Sequence, residues 1–476
     1  MQAGTGKLIR NFSIVFVVLL VTAGLMLAGC SASPIASNVT TSATTTALPV
    51  SITDAPGDQV LAASLTLNSI VLSNSSGKTA SILSSPLTFE AAHLDAVQEP
   101  LFTPSVPEDT YTSVLLTYSN AQVAYVDPTT KSVVVATATL ANNSQTITFA
   151  TPISVKNAST SLLVDFLVAN SVTISGSTVT VTPAFHVTAA TIPAQPTNGT
   201  NGLQCGIKGK VTALGTNSFT LTNPEGISLV IKVNGNTQYQ GLSGFSALAV
   251  NALLEVDVQM QTDLSLLALR VEQEVASNAT AHMLVGPVTS VTGSPATGFT
   301  MIVRQHIGPT PTATPVEKDT ITITGTTTFL MPGRFNNLVV SGSPFAPTFS
   351  ASTLFAGQAV AVATNGVTNN AATATAIAMA PQTVSGTIAN ILAPTCMSCF
   401  AQYTLTLPSG SWLATITGQT TVTVYSNGGL QAINSTAAAV TRDVRFNGFL
   451  FQVNGKLVML AAVEADGPGS PILPHP

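Results

Sequence analysis

Alternating hydrophobic and polar residues recur along most of this chain, and a period of two predicts β-strands. Residues 65–72 read Leu-Thr-Leu-Asn-Ser-Ile-Val-Leu, and residues 111–118 alternate in a similar way. In residues 254–258 the hydrophobic side chains share one face, and the carboxylates of Glu255 and Asp257 share the other. Because turn residues separate these short runs, the pattern predicts an all-β protein.

The first folded module is predicted over residues 48–191. It opens with Val-Ser-Ile-Thr-Asp-Ala-Pro at residues 50–56, a strand that ends in a turn. Further strands are predicted at 65–72, 79–83, 111–118, 122–126, 133–139, 145–149, 161–168, 171–174 and 178–187, with one helical turn at 89–97. Many short strands at this spacing predict an antiparallel β-sandwich.

Four segments of this module carry a resemblance to a known family. They are the opening at 50–56, the strand at 65–72, the segment 109–118 and Leu-Leu-Val-Asp-Phe at 162–166. Together they resemble the family labelled domain of unknown function 4382, which occurs in secreted bacterial and archaeal lipoproteins. The resemblance implies a fold and an extracytoplasmic compartment. It implies no activity, so no catalytic residue is carried over from it.

The chain repeats three times beyond a linker at residues 192–204 that is rich in Pro, Gly and Asn. Five marks recur in the same order, and each has one copy per repeat. They lie at 209–214, 286–291 and 386–391; at 219–221, 299–301 and 403–405; at 237–239, 328–329 and 423–425; at 254–258, 359–363 and 444–448; and at 268–272, 376–379 and 461–464. Each repeat is therefore predicted to be a small β-barrel of five or six strands, because closure removes exposed sheet edges.

The repeats resemble a second family, labelled domain of unknown function 5666. The resemblance lies in the opening Gly-x-Val-x-x-hydrophobic pattern and in a late strand with alternating acids, and the first repeat reproduces both best. The second repeat departs from the pattern by an insertion at 304–319 that is rich in Pro and Thr. The third departs from it by a Cys-x-x-Cys hairpin.

The N-terminal segment has the three parts of a secretory signal: basic residues Lys7 and Arg10, a hydrophobic run at 12–27, and small residues before Cys30. Leu-Ala-Gly-Cys at 27–30 resembles the bacterial lipobox, which implies that Cys30 is acylated and becomes the mature N-terminus. The alternative is an uncleaved transmembrane anchor, since the run is close to the minimum length for a span. No Asp follows Cys30, which favours the outer membrane by the enterobacterial sorting rule.

The complete predicted organisation therefore has eight parts. It comprises a lipoprotein signal peptide at 1–29, a Ser/Thr-rich tether at 30–47, the β-sandwich at 48–191, the linker at 192–204, barrel repeats at 205–276, 282–380 and 382–466, and a disordered tail at 467–476. The location expected from this organisation is the cell envelope, with the membrane as a partner through the lipid.

Composition narrows the function classes. Charged residues make up only 7% of the 476 residues, whereas hydrophobic residues reach 45%, which is not the signature of a disordered chain. The formal net charge of −5 gives no basic surface, so we expect no nucleic-acid partner. Glycans or envelope proteins are the expected binding partners.

Three cysteines remain after Cys30, in a compartment that permits disulfides. Cys396 and Cys399 form a Cys-x-x-Cys motif that lacks both a second ligand pair for zinc and the strand-to-helix context of a redox motif. We therefore expect a local disulfide between Cys396 and Cys399 at a hairpin tip. Cys205 is then either unpaired or in competition for one of these two.

The titratable residues form no recognisable catalytic or metal-binding motif, so no catalytic, cofactor or metal site is predicted. His93 and Asp95 lie near the helical turn, where an acid–base or metal role is conceivable but a solvated surface pair is favoured. Asp54 and Asp58 flank a turn and could bind calcium, but a turn-capping role for Asp54 is favoured. Asp165 is expected to face outward from an alternating strand.

One aromatic residue is a candidate for ligand binding. Trp412, the single tryptophan, could stack on a sugar or lie in the core, and the sequence leaves both open. The predicted function is a non-catalytic binding or scaffold module of the cell envelope. The alternative is an accessory or catalytic component of extracellular polysaccharide or protein processing.

Overall fold

Most of the chain that the computed structural model describes is β-strand, with only short helical segments, which confirms the predicted fold class of a β-sandwich followed by three small barrels. The structure describes residues 44–55, 57–95, 97–192, 202–273, 280–309, 316–336, 344–393, 400–427, 432–433, 436–437 and 439–466. The signal peptide and the tail lie outside these residues. Within them, no helix combines the length and hydrophobicity that a bilayer-crossing helix requires.

The described residues of the N-terminal module form fifteen strands and two short helical turns. The strands are β1 (Thr45–Ala47), β2 (Val50–Ala55), β3 (Val60–Asn74), β4 (Thr79–Ser81), β5 (Leu87–Glu90), β6 (Glu99–Phe102), β7 (Ser105–Pro107), β8 (Asp109–Val126), β9 (Val133–Thr137), β10 (Thr139–Leu140), β11 (Ser144–Val155), β12 (Thr160–Leu167), β13 (Val172–Ser175), β14 (Thr178–Val181) and β15 (Phe185–Thr191). A 3₁₀ turn at Ala92–Leu94 and helix α1 (Val168–Ser171) interrupt them.

Two main sheets enclose the core of this module. One is built on the order β11-β8-β3-β4, and the other has the order β15-β12-β2-β6. Buried Leu65, Tyr118, Val164 and Phe166 belong to one hydrophobic cluster between them. The sandwich is not purely antiparallel as predicted, because β2 runs parallel to β12. That pairing joins residues more than a hundred positions apart, so local alternation carries no information about its direction.

The tether prediction is wrong at its C-terminal end. Residues 45–47 form β1, which pairs antiparallel with β7, and Thr46 is buried. The hydroxyl of Thr46 also accepts a hydrogen bond from the Ala158 backbone N–H at 2.6 Å. Three residues of low hydrophobicity are held here by backbone pairing, which composition does not reveal.

The three repeats contain the remaining strands. They are β16 (Leu203–Leu214), β17 (Ser218–Thr222), β18 (Ser228–Lys232), β19 (Gln238–Gln240), β20 (Leu253–Met260) and β21 (Leu266–Glu272) in the first; β22 (His282–Thr292), β23 (Gly298–Val303), β24 (Gln305–Ile307), β25 (Glu317–Thr322), β26 (Thr328–Leu330), β27 (Ala359–Thr364) and β28 (Ala371–Met379) in the second; and β29 (Gln382–Leu392), β30 (Phe400–Thr406), β31 (Thr421–Asn427), β32 (Ala432–Ile433), β33 (Thr436–Ala437), β34 (Asp443–Val453) and β35 (Lys456–Asp466) in the third. Short helical segments lie at Phe245–Ala247, at α2 (Gly333–Asn336) and at α3 (Trp412–Thr417).

The same circuit of five strands closes each repeat. In the third repeat the closed order is β29-β30-β31-β35-β34, with β31 parallel to β35. The first repeat follows the same order through β16, β17, β18, β21 and β20, and the second through β22, β23, β25, β28 and β27. Counted along the chain, the third of these five strands runs parallel to the fifth. This is the connectivity of an OB-type barrel.

Four of the five sequence marks fall on equivalent strands of this circuit. The third mark does not, because residues 237–239 and 328–329 lie on or next to the additional strands β19 and β26, whereas 423–425 lie in the circuit strand β31. The predicted insertion at 304–319 separates the second and third circuit strands. Its two ends belong to β24 and β25.

Candidate functional site

Four ionisable side chains meet where the N-terminal sandwich contacts the first barrel, and we call them the junction cluster: Glu90, His93, Glu99 and Glu225. Glu90 ends β5, His93 lies in the 3₁₀ turn, and Glu99 begins β6. Glu225 belongs to the turn between β17 and β18, so it comes from the barrel. Local strand ends thus bring three of the groups together, and the module contact supplies the fourth.

Glu90 organises the turn that carries His93. Its Oε1 accepts hydrogen bonds from the backbone N–H groups of Ala63 and Ala92, each at 2.9 Å. Its Oε2 accepts one from the His93 N–H at 2.8 Å and lies 3.3 Å from His93 Nδ1. The carboxylate therefore ties the turn to β3 and also orients the imidazole ring.

The opposite ring nitrogen of His93 points to the other two acids. Nε2 lies 3.4 Å from Glu99 Oε1 and 3.9 Å from Glu225 Oε1. The side chains of His93, Glu99 and Glu225 are only 4%, 1% and 6% exposed. One ligand atom from each of these three lies within 4.8 Å of the others, so the group could hold a metal ion.

Electrostatics couples the members of the cluster. Burial alone would lower the pKa of His93, but the carboxylates of Glu99, Glu90 and Glu225 outweigh it and hold that pKa well above its usual value. Burial raises the pKa of Glu225 and Glu99 adds to this, although His93 opposes it. Burial beside Glu99 is therefore unfavourable for the charged form of Glu225.

A second set of charges joins the sandwich to the other two barrels. Arg445 of β34 is buried and places Nη1 3.3 Å from Asp95 Oδ1. Arg304, between β23 and β24, donates from Nε to the Leu61 carbonyl at 2.6 Å and from Nη1 to the Ala92 carbonyl at 3.4 Å. These contacts and the junction cluster converge on one stretch, residues 90–95 together with Glu99, which we call the hub segment.

The first barrel also carries a buried charge network on its outer face. Arg270 donates to Asp257 Oδ2 and Glu255 Oε1, each at 2.7 Å, and it also pairs with Glu272. Lys208 forms an ion pair with Glu255. Residues 254–258 were predicted to place hydrophobic side chains on one face and carboxylates on the other. The hydrophobic face is confirmed, since Leu254, Val256 and Val258 lie in the barrel core. The carboxylate face is covered rather than solvated, because Glu272 Oε1 accepts a hydrogen bond from Gly333 N–H of the second barrel.

A histidine pair lies in the second barrel. His282 Nδ1 and His306 Nε2 are 2.9 Å apart, and His306 Nδ1 lies 3.7 Å from Glu317 Oε2. Asp319 on the same strand as Glu317 is fully buried, and neither carboxylate oxygen has a hydrogen-bond partner. Burial raises the pKa of Asp319 to about 6, and Glu317 adds to this rise.

The structure corrects two predictions about acidic residues. His93 and Asp95 are not a solvated surface pair, because both side chains are buried beneath the barrels. Asp54 does not cap its own turn: its Oδ1 accepts a hydrogen bond from the Val168 N–H, and burial raises its pKa. Asp58 instead faces the third barrel, where burial raises its pKa to about 6 despite a hydrogen bond from Ser385.

Two other candidates have clear outcomes. Asp165 alternates with the buried residues Val164 and Phe166 and lies on the opposite face of β12, as predicted, but it is half-buried there. Trp412 is a buried core residue whose backbone N–H donates to the Asp58 carbonyl, and the Arg304 guanidinium lies 6.0 Å from its ring centre. Of the two possibilities left open for Trp412, sugar stacking and a place in the core, the core position is therefore confirmed.

The predicted lipid and disulfide sites are not among the described residues. Cys30, Cys396 and Cys399 all lie outside them, and those predictions stand as made. Cys205 is half-buried on β16. Sequence reasoning missed Glu90 and Glu99, although Glu90 stands three residues before His93 and could have been noticed. It missed Glu225 because nothing local links that residue to the sandwich.

Comparison with known families agrees with the two resemblances. Residues 45–183 match the family described as Domain of unknown function (DUF4382), and residues 208–272 match Domain of unknown function (DUF5666). The two families occur in the predicted order along the chain. No curated protein and no solved structure matches the chain.

Proposed function

We propose that this protein is a lipid-anchored, extracytoplasmic component of the bacterial envelope that acts as a non-catalytic binding or scaffold module. The lipobox at Cys30 supports the anchor, and its surroundings support the outer membrane as the address. Acyl chains contribute about 0.8 kcal/mol per buried methylene, so more than one chain gives stable anchoring.

The observation that carries the non-catalytic part is where the ionisable groups lie. Glu225, Arg304 and Arg445 come from three different barrels, and all contact the hub segment of the sandwich. These groups are buried at joints between modules, where a polymer chain cannot reach them. They hold modules together, which is what a scaffold requires, whereas a hydrolase needs acids beside an open cleft.

An open groove between the sandwich and the first barrel supports the same conclusion. Its volume is about 330 Å³, and its described lining includes Phe102, Val230 and Leu264. These described lining residues include Lys232 but no Asp, Glu or His that could act as a general acid or base. The groove offers a surface for binding without groups for hydrolysis.

The test of this function compares the full-length protein with Cys30→Ala in a bacterial host. The native protein is expected in the membrane fraction and to incorporate labelled palmitate, whereas Cys30→Ala is expected to lose both properties because no thiol remains for acylation. Ser31→Ala is the matched control and should behave as the native protein does. Labelling of Cys30→Ala would contradict the proposed anchor.

The same preparations, incubated with purified cell-wall glycans, address catalysis. We expect retention of glycan without release of soluble fragments. Fragment release that depends on the protein would contradict the non-catalytic proposal and support the processing alternative.

A further inference from the structure

We propose that His93, Glu99 and Glu225 bind a divalent transition-metal ion, of which Zn²⁺ is the type, and that this ion cross-links the sandwich to the first barrel. The proposal goes beyond the envelope function and does not depend on it. Two ligands come from the sandwich and one from the barrel, so binding would couple the two modules.

The first argument is geometric. Zinc binds imidazole nitrogen and carboxylate oxygen at about 2.0–2.2 Å, so neighbouring ligand atoms of a tetrahedral site are about 3.4 Å apart. His93 Nε2 and Glu99 Oε1 have that separation, 3.4 Å. Glu225 Oε1 lies 3.9 Å from Nε2, and one ligand atom from each of the three residues lies within 4.8 Å of the others, so a contraction of the cluster completes the set.

The second argument comes from hydrogen bonding, which is independent of the distances between the ligands. His93 Nε2, Glu99 Oε1 and Glu225 Oε2 are buried atoms without a hydrogen-bond partner. Buried polar atoms are nearly always paired, because leaving one unpaired costs about 1–3 kcal/mol. Each of the three clustered residues thus has one such atom, which indicates a shared ligand that accepts electron pairs from all three side chains.

The third argument concerns the histidine tautomer. Glu90 Oε2 lies 3.3 Å from His93 Nδ1, so it is placed to accept a hydrogen bond from Nδ1–H when a metal displaces the proton of Nε2. The lone pair of that neutral form would be on Nε2, on the side where Glu99 and Glu225 lie. A carboxylate that holds the far nitrogen of a metal-binding histidine is the usual outer partner in zinc sites.

Charge leads to the same conclusion. Glu90 is balanced by three backbone N–H groups and the imidazole. Glu99 Oε2 accepts one hydrogen bond, at 3.4 Å, from the side-chain amide nitrogen Nδ2 of Asn223. The remaining charge of Glu99 and Glu225 equals that of one divalent cation.

The donor set also restricts which ions fit. Calcium and magnesium take oxygen ligands, so an imidazole in the first coordination sphere disfavours both. One nitrogen and two carboxylates suit Zn²⁺, and also Mn²⁺ or Fe²⁺. The shared chemistry is therefore a divalent ion with mixed nitrogen and oxygen ligands.

The experiment uses the full-length protein, purified in detergent without chelators. Elemental analysis is expected to find close to one equivalent of Zn²⁺, Mn²⁺ or Fe²⁺ per chain. After removal of the metal by a chelator, thermal unfolding should shift down by at least about 3 °C, and ZnCl₂ added back should restore it.

Variants separate a ligand from a merely structural residue. Glu225→Gln is expected to lose stoichiometric metal, and Glu90→Gln to weaken metal affinity by about 10–100-fold through the outer partner. The metal-free form of Glu225→Gln should unfold no earlier than the metal-free native protein, because the amide has the size of the acid and adds no buried charge. Asp263→Asn, an exposed acid of the same barrel, is the control and should keep the metal.

Two results would overturn the proposal. One is a native protein that contains no stoichiometric metal and has a Tm unaffected by either chelator or Zn²⁺, which would mean that protons alone hold the cluster. The other is a Glu225→Gln variant that binds metal as tightly as the native protein.

Discussion

Buried acids are expected to make the stability of this chain depend on pH, and Asp319 is one of them. It lies in β25 with no exposed surface and no hydrogen bond to its carboxylate, and burial raises its pKa to about 6. An acid whose pKa is higher in the folded than in the unfolded state binds extra protons when folded. Its contribution to stability is therefore full at acidic pH and is lost as the pH rises through about 6.

Asp319→Asn should remove this loss. The amide has the same size and no charge, so we expect the variant to be more stable than the native protein above pH 7 by about 2–3 kcal/mol. Below pH 4 the two should be equally stable. Denaturant unfolding of the chelator-treated protein at pH 4, 6 and 8 measures the difference, and a gain that is the same at all three values would contradict the argument.

The chemistry of the hub segment was only partly visible in the sequence. The position of His93 near a turn was correct, but its burial was not predicted, because the barrels that cover it begin more than a hundred residues later. Glu90 could be read from its spacing to His93. Glu225 could not, since only the contact between modules brings it to within 3.9 Å of the ring.

At the scale of single strands, the geometry of the first strand in each barrel explains why its sequence mark, at 209–214, 286–291 and 386–391, recurs. Gly209, Gly286 and Gly386 occupy equivalent places, and a Cβ atom at any of them would collide with a backbone carbonyl of the neighbouring strand. Each strand then has a β-bulge between the second and fourth residues after the glycine. The glycine permits a close strand approach and the bulge bends the strand into the closed sheet.

Replacing one of these glycines should open its barrel. In Gly286→Ala the new methyl group would overlap the Ile302 carbonyl oxygen, and we expect a loss of at least about 2 kcal/mol in unfolding free energy, as for other overpacked sites. Gly325→Ala is the matched control in the same barrel, because a methyl group there would have no neighbouring atom within 4 Å. Equal stability of the two variants in thermal unfolding would contradict this explanation.

Strand positions were largely predictable at this scale, whereas pairing direction was not. The alternation at residues 254–258 correctly placed Leu254, Val256 and Val258 in the core. The same alternation was uninformative about what covers the carboxylates, which proved to be Arg270, Lys208 and the second barrel. The parallel pairing of β2 with β12 depends on contacts across the whole sandwich, and a local pattern does not encode them.

Considered as a whole, the chain from Thr44 onward forms one unit of contacts, with the hub segment at the joints. The second and third barrels each insert one arginine there, Arg304 and Arg445. A buried ion pair of this kind is a poor source of net stability, but the loss of one partner is costly because the other charge remains buried.

Arg445→Met should therefore destabilise the protein strongly. It leaves Asp95 buried without its cation, and the expected loss is about 3–5 kcal/mol, seen as earlier thermal unfolding and faster proteolysis of the third barrel. Lys232→Met removes an exposed ion pair with Asp263 and should leave both properties nearly unchanged. The double variant Asp95→Asn with Arg445→Met should recover part of the loss. A single variant as stable as Lys232→Met would show that the pair does not hold the joint.

The long separation between Asp95 and Arg445 also has a consequence for biosynthesis. The two partners are 350 residues apart, and chains grow at about 5–20 residues per second. Arg445 is therefore synthesised roughly 20–70 s after Asp95. From residue 191 onward the sandwich is complete in sequence, yet the third barrel does not cover its hub. The C-terminal barrel is the last part of the chain to seal it, and a nascent chain that stops before residue 443 leaves this acid exposed.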